Sequence, residues 1–246
     1  MQIDGYRVLR IAHEGSYGPV LQAEEAQTGK WVAIQVFARQ QPSTQAPVRG
    51  LQAYLQTLQR LSLPGVAMPM GCGTLPDGRL YLASAWIAGS TFPTTQQSLA
   101  DALLWGQQLA ATLESAHRHG LYHRHLRPSQ ILRSVGRHSR QSTVLGLGLS
   151  YVLGPPAMPS DSAAKAFVAP EGHQEEGGAA ADVYSLGVLI RMMLGLPFQP
   201  SRTASSRAAG EAGAKHSTLT QLAALTEEMT SDNPALRPAM SEVNQQ

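Results

Sequence analysis

The sequence predicts an α+β fold in two lobes, a strand-rich part followed by a helix-rich part. Before residue 86, short segments alternate apolar and polar side chains, as strands with one buried face do. After residue 98, apolar residues recur at helical spacing over longer segments. Runs of strands followed by runs of helices are typical of α+β proteins. A chain of 246 residues is long enough to bury a core in each lobe.

The first lobe is expected to contain five strands and one helix. The strands are predicted at Tyr6–Ala12, Pro19–Glu25, Trp31–Phe37, Ala67–Gly73 and Leu80–Trp86. A Pro-Asp-Gly sequence at 76–78 predicts a hairpin turn between the last two. The helix is predicted over Val48–Leu61, which has leucines at helical spacing. Pro19 has no amide hydrogen, which favours a sheet edge or a bulge for the second strand.

The second lobe is expected to be mainly helical. A long helix is predicted over Ser98–His119 and a last helix over Leu219–Thr230. Leu149–Val168, rich in proline, alanine and serine, is predicted to be a loop, and Ser201–Ser217 a flexible excursion. The predicted boundaries are 1–84 for the first lobe, 85–89 for a hinge and 90–246 for the second lobe.

Composition indicates an ordinary globular chain. Cys72 is its single cysteine, which excludes an intrachain disulfide and favours a reducing cytoplasm. The apolar stretch Val183–Leu196 is too short to span a bilayer. Since the first strand follows the start of the chain directly, we expect no signal peptide. The net charge of +2 selects no class of partner.

Five short motifs occur along the chain in a recognisable order. They are His13–Val20, Val32–Gln35, His123–Gln130, Val144–Gly148 and Ala169–Glu171. In that order they resemble the glycine-rich loop, the Val-Ala-Ile-Lys strand, the His-Arg-Asp catalytic loop, the Asp-Phe-Gly segment and the Ala-Pro-Glu motif of eukaryotic-like (Hanks-type) serine/threonine protein kinases. The resemblance implies the bilobal fold of that family, and the compact layout without insertions favours a bacterial member.

The resemblance also implies that the residues of phosphate chemistry are replaced. Gln35 stands for the phosphate-binding lysine, Tyr54 for its helix glutamate, His125 for the catalytic aspartate, Gln130 for the metal-binding asparagine and Gly146 for the metal-binding aspartate. Magnesium prefers carboxylate oxygens. We therefore predict no metal site and no cofactor, with ATP bound without magnesium as the alternative.

Two stretches of the chain lack acidic residues, so neither stretch offers a carboxylate that could take over the role of a replaced catalytic or metal-binding residue. No aspartate or glutamate occurs between Ala26 and Pro76 or between Ser115 and Ser160. The second stretch contains Arg118, Arg124, Arg127, Arg133, Arg137 and Arg140. These arginines predict a positive face for an acidic or phosphorylated peptide, or for a metal-free nucleotide, with a solvated basic surface as the alternative. Few aromatic residues accompany them, which argues against nucleic acid.

Other positions of the family pattern are candidates for binding or for structure. Candidates for holding a nucleotide are Gly15, Gly18, Gln35 and Arg127. The residues that the resemblance assigns to structure are His123, Arg124, Glu171, Asp182 and Arg237. Histidines crowd at positions 117, 119, 123 and 125, but without nearby cysteines or carboxylates we predict no zinc site there.

Taken with the replaced residues, the resemblance implies a pseudokinase, which is not an enzyme. The expected function is that of a cytoplasmic regulatory or scaffolding module that binds another protein, such as an active kinase or a signalling component. Two alternatives stay open. One is a metal-independent nucleotide- or phosphate-binding sensor, and the other is a serine/threonine protein kinase of very low activity, with His125 as its base.

Overall fold

The α+β prediction is confirmed by the computed structural model, in which an antiparallel sheet with one helix precedes a mainly helical lobe. The structure describes residues 2–40, 46–135, 140–154, 156, 161–171, 177–197 and 214–245. The division of the lobes at residues 84 and 90 stays a prediction.

The sheet of the first lobe has five antiparallel strands in the order β1-β2-β3-β5-β4. Their bounds are β1 Tyr6–Gly15, β2 Gly18–Glu25, β3 Trp31–Gln40, β4 Pro69–Thr74 and β5 Arg79–Ala85. The helix α1, Ala46–Leu61, packs against β4. Of the two settings predicted for Pro19, the sheet edge is wrong, because β2 lies between β1 and β3. Pro19 fits because it lies at the start of its strand, opposite Glu14 beside the hairpin turn.

The second lobe combines six helices with a small sheet in the part of the chain described. The helices are α2 Leu99–His117, α3 Leu149–Leu153, α4 Ser162–Lys165, α5 Gly178–Leu194, α6 Ala214–Met229 and α7 Met240–Gln245. The antiparallel sheet contains β6 Ser90–Thr91, β7 Ile131–Val135 and β8 Arg140–Val144, and 3-10 turns occupy Pro128–Gln130 and Pro234–Leu236. Sequence reasoning missed the small sheet and placed a loop where α3 and α4 lie.

Local sequence explains how two of the long helices of this lobe, α2 and α5, are placed. The Ser98 hydroxyl accepts a hydrogen bond from the Asp101 amide (3.1 Å) and caps the start of α2. In α5, the buried residues run without interruption from Ala181 to Leu194, so the helix lies at the centre of the lobe. A β-carbon on Gly187 would lie 2.8 Å from the Met229 β-carbon, so glycine permits the close approach of α5 and α6.

The last long helix begins earlier than predicted. Helix α6 starts at Ala214, inside the segment 201–217 that sequence reasoning assigned to an excursion. The rest of that prediction, residues 201–213, lies outside the described residues.

Apolar packing joins the two lobes beside the cleft between them. One cluster of buried side chains fills the helical lobe around Trp105, and another lies beneath the sheet around Ile34. A third unites Leu58 of α1 with Leu147, which precedes α3 of the other lobe. This third cluster fixes the back wall of the cleft. Among the described helices, none is both long and apolar enough to cross a bilayer.

Candidate functional site

A cavity of about 480 Å³ lies between the five-stranded sheet and the segment 129–146. Its apolar lining comes from both lobes, with Val20, Ala33 and Leu82 on the sheet and Leu132 and Leu145 opposite. The connection between the lobes closes one side, where the Trp86 amide donates to the Trp31 carbonyl (3.1 Å). A cavity of this size, with apolar side chains from both lobes and a few polar groups such as Gln35 and Gln130, can enclose a small organic ligand.

Gln35 lies in this cavity on β3 and bonds to the backbone around it. Its Nε2 donates to the carbonyl oxygens of Gly18 (2.9 Å), Val36 (3.1 Å) and Pro19 (3.3 Å). These bonds tie the turn between β1 and β2 to β3. A neutral amide therefore holds down the loop at the position where the family's lysine would reach for phosphate.

Tyr54 connects α1 to the segment before α3. Its buried hydroxyl donates to the Leu147 carbonyl (2.7 Å), and burial raises the pKa of Tyr54 far above its ordinary value. The phenol therefore stays protonated and serves as a donor. An uncharged hydrogen bond holds α1 inward at the position where the family uses a glutamate.

Ser16, at the tip of the β1–β2 turn, reaches the second lobe. Its hydroxyl oxygen accepts hydrogen bonds from Arg127 Nη2 and from Gln130 Nε2 (2.6 Å). Gln130 also lines the cavity. Arg127 and Gln130, both predicted site positions, therefore donate to the same serine hydroxyl. Sequence reasoning missed this role of Ser16, since a serine in a turn carries no signal of which distant side chains it meets.

Asp182 holds the backbone of the loop that contains His123 and Arg124. Its buried carboxylate accepts from the amides of His123 (2.8 Å) and Arg124 (2.6 Å), and His117 Nε2 lies 2.9 Å from it. Arg124 has a φ of 66°, and its guanidinium stacks 4.0 Å from the centre of the Tyr151 ring. The carboxylate compensates this strained backbone by satisfying both amides.

The ring of His123 is held in one tautomer. Its Nε2 lies 2.9 Å from the Leu145 carbonyl and must donate, while Nδ1 accepts from the His125 amide (3.3 Å). Burial lowers the pKa of His123 below its ordinary value, which outweighs the opposing effect of Asp182. A neutral His123 therefore connects the loop carrying His125 to the segment carrying Gly146.

Gly146 and Gln130 are neighbours at the cavity wall. A β-carbon on Gly146 would lie 3.6 Å from Gln130 Oε1, and Gly146 itself has a φ of 69°. Among the residues that the structure describes, one amide oxygen and no carboxylate meet at this point. The residues present do not fit a magnesium ion, which needs several oxygen ligands and usually one or two carboxylates.

The crowded histidines do not converge on a common point in the described part of the chain, where no group of three or more His, Cys, Asp or Glu side chains could hold a metal ion. His117 contacts Asp182 and the Tyr122 ring, whereas His123 bonds to backbone. The absence of a zinc site stays a prediction for the whole chain.

Glu171 and Arg237 form an ion pair away from the cleft. Both guanidinium Nη atoms donate to the Glu171 carboxylate, and the Arg237 side chain is fully buried. Arg237 also donates to the carbonyls of Ala180 (3.0 Å) and Ser231 (2.8 Å). This pair fastens the segment before α5 to the segment after α6.

The predicted positive face is partly neutralised. Arg140 pairs with the Asp101 carboxylate and Arg124 stacks on Tyr151. Arg127 differs from these two, because its side chain donates to a neutral serine and forms no ion pair with any of the described residues. Arg137 lies outside the described residues.

The chain is similar to known protein kinases in both sequence and structure. A family model described as protein kinase domain matches residues 6–246. Similar proteins include CBL-interacting protein kinase 32 of Oryza sativa subsp. japonica (25% identity, 81% of this chain and 48% of that protein). Serine/threonine-protein kinase PknA of Mycobacterium tuberculosis is 29% identical, over 75% of this chain and 45% of that protein. The chain spans less than half the length of these relatives.

A solved structure supports the fold. The crystal structure of a double mutant of the Mycobacterium tuberculosis PknI kinase domain matches with a TM-score of 0.70 and 19% identity, covering 100% of this chain and 95% of that one. A third relative in sequence is sucrose non-fermenting protein kinase 1 of Fusarium virguliforme, 27% identical over 80% of this chain and 29% of that protein.

These matches overturn one expectation. We predicted from the replaced residues that the chain is not an enzyme, and that prediction is wrong. The matching model is that of protein kinase domains, and the relatives are named as protein kinases. The physical reason is that replaced catalytic groups lower a rate without abolishing it, because binding and positioning persist.

Proposed function

The chain belongs to the protein kinase domain family, and on that premise we propose that it binds a nucleotide in the cleft and regulates a protein partner through the bound state. Its phosphoryl transfer is proposed to be very slow. The cleft itself is the observation that carries this proposal, since its apolar slot lies between two lobes that α1 and Leu147 hold together.

Nucleotide binding is proposed to be independent of magnesium. The Arg127 guanidinium and the Gln130 amide both donate to Ser16 in the β1–β2 turn, beside the cavity that Gln130 lines. A guanidinium can form two parallel hydrogen bonds to a phosphate. Arg127 and Gln130 would therefore hold the phosphates, while Val20, Ala33 and Leu132 would contact the base.

A protein partner is supported by the names of several relatives. Three of them are CBL-interacting protein kinases of rice, so binding to another protein is part of their description. The proposed partner of this chain is an active kinase or another signalling component. A cytoplasmic location and a bacterial source belong to the same proposal.

Ligand binding should be visible in thermal melts. ATP or adenosine at about 100 times its Kd adds roughly 2.7 kcal/mol of stability, which raises the Tm by about 5–10 °C for a chain of this size. We expect the ATP shift to be equal in magnesium and in EDTA. The matched variant is Ala33→Leu, which fills the slot and should lose both shifts. No shift with either ligand, or full shifts in Ala33→Leu, would contradict nucleotide binding.

Residual phosphoryl transfer should depend on His125. The imidazole lies on the loop that Asp182 and His123 hold in place, and its amide is 3.3 Å from His123 Nδ1. General acid–base assistance is typically worth about 10²–10⁴-fold. We expect His125→Ala to lower the rate of radiolabelled phosphate transfer to a generic protein substrate by at least about tenfold. The exposed His119→Ala variant should keep the rate. An unchanged rate in His125→Ala would remove His125 as the base.

A further inference from the structure

We propose that Ser16 determines ligand specificity, because its hydroxyl occupies the two donors that a ligand phosphate needs and so favours a nucleoside over a nucleotide. This inference rests on the proposed nucleotide site and adds to it the class of ligand that the closed cleft prefers.

The position of Ser16 is fixed by the loop around it. Gln35 holds the Gly18 carbonyl (2.9 Å), and the Ala38 amide donates to the Tyr17 carbonyl (2.8 Å). The Tyr17 hydroxyl donates to the Gly154 carbonyl (3.3 Å) of the other lobe. The turn is therefore anchored at the two residues that follow the serine, and the serine hydroxyl accepts hydrogen bonds from Arg127 and Gln130 as part of the closed structure.

Arg127 is poorly compensated in this arrangement. Burial lowers the pKa of Arg127, since the guanidinium is partly removed from water. Its Nε is buried without a hydrogen-bond partner, and none of the ion pairs in the described part of the chain includes it. A neutral hydroxyl is a weaker partner for such a group than an anionic oxygen. The site therefore favours an anion, provided that Ser16 gives way.

Adenosine and ATP differ in the hydrogen bonds that each must break in order to bind. Adenosine fills the apolar slot and leaves the contacts of Ser16 intact. ATP places phosphate oxygens where the serine oxygen lies, so its binding exchanges two existing hydrogen bonds for new ones. The existing bonds reduce the net gain from the phosphates, and removing the hydroxyl should restore that gain.

Calorimetric titration of the full chain with ATP and with adenosine, in EDTA, tests the inference. We expect Ser16→Ala to bind ATP about three- to tenfold more tightly, with adenosine affinity unchanged. Adding Arg127→Ala to Ser16→Ala should abolish the gain in ATP affinity. The matched control Ser129→Ala removes a hydroxyl from the same cavity wall and should leave the ratio of the two affinities unchanged.

The possible results distinguish a failure of the proposed role of Ser16 from a failure of the proposed nucleotide site. An unchanged ATP affinity in Ser16→Ala, or an equal change for both ligands, overturns the role of Ser16 while nucleotide binding stands. Failure of both ligands to bind to the unmodified chain overturns the nucleotide site and this inference together. A melt of each free variant verifies that it is folded.

Discussion

Replacement of Asp182 by asparagine is expected to lower the free energy of unfolding by about 3–5 kcal/mol. The carboxylate is fully buried and accepts both the His123 and Arg124 amides. Asparagine has nearly the same shape but only one acceptor oxygen. Its NH₂ group would face a backbone N–H or His117, leaving a buried donor without a partner.

The strained backbone of Arg124 adds to this cost. A positive φ in a residue other than glycine persists only where the surroundings compensate it, and Asp182 supplies that compensation through the Arg124 amide (2.6 Å). We therefore expect the catalytic-loop segment to open first in Asp182→Asn, with faster amide hydrogen exchange at residues 123–125 than elsewhere.

Urea unfolding followed by circular dichroism measures the loss. The matched control is Asp77→Asn, the same chemical change at a hairpin carboxylate that is half exposed and bonded to Arg79. We expect little change in that control. A loss in Asp182→Asn no larger than in Asp77→Asn would show that the buried carboxylate does not support the loop.

Replacement of Arg237 by alanine is also expected to lower the free energy of unfolding by about 3–5 kcal/mol. The change leaves the Glu171 carboxylate in a largely buried place without its cation and removes donors from the Ala180 and Ser231 carbonyls. It also removes a guanidinium that stacks 5.0 Å from the centre of the Tyr184 ring. Burial, and not the charge alone, makes the pair important.

An exposed ion pair serves as the control for the effect of burial. Arg7 and Glu24 also form an ion pair, but the Arg7 side chain is 69% exposed. Arg7→Ala should cost less than about 1 kcal/mol. Equal losses for Arg7→Ala and Arg237→Ala in urea unfolding would contradict the argument. The double replacement of Glu171 and Arg237 by alanine should cost less than the sum of the single changes, because it leaves no unpaired charge.

Sequence reasoning located the elements better than their tertiary contacts. Alternation of apolar and polar residues located all five strands of the first sheet. The strand β6 has only two residues, too few for any period to show. Pro19 was assigned to an edge or a bulge because its missing donor is a local property, whereas strand order depends on the whole sheet.

For the site as well, the sequence indicated which residues matter better than it indicated their contacts. The resemblance to protein kinases singled out His123, Arg124 and Asp182, and the structure places them in one hydrogen-bonded group. The contact of Ser16 with Arg127 spans 111 residues, and no sequence period connects them. Gln35 and Tyr54 could be seen as replacements of charged residues, but their bonds to backbone carbonyls depend on geometry alone.

The hydrogen bonds of the Tyr54 hydroxyl and the Gln35 amide should make the cleft insensitive to salt, which ion pairs in their place would not. Dissolved ions screen charges over about 8–10 Å at physiological ionic strength, but they scarcely weaken a buried bond between neutral groups. The bonds from Tyr54 to Leu147 and from Gln35 to Gly18 carry no net charge. The inward position of α1 and the closed β1–β2 turn should therefore persist unchanged from dilute buffer to concentrated salt.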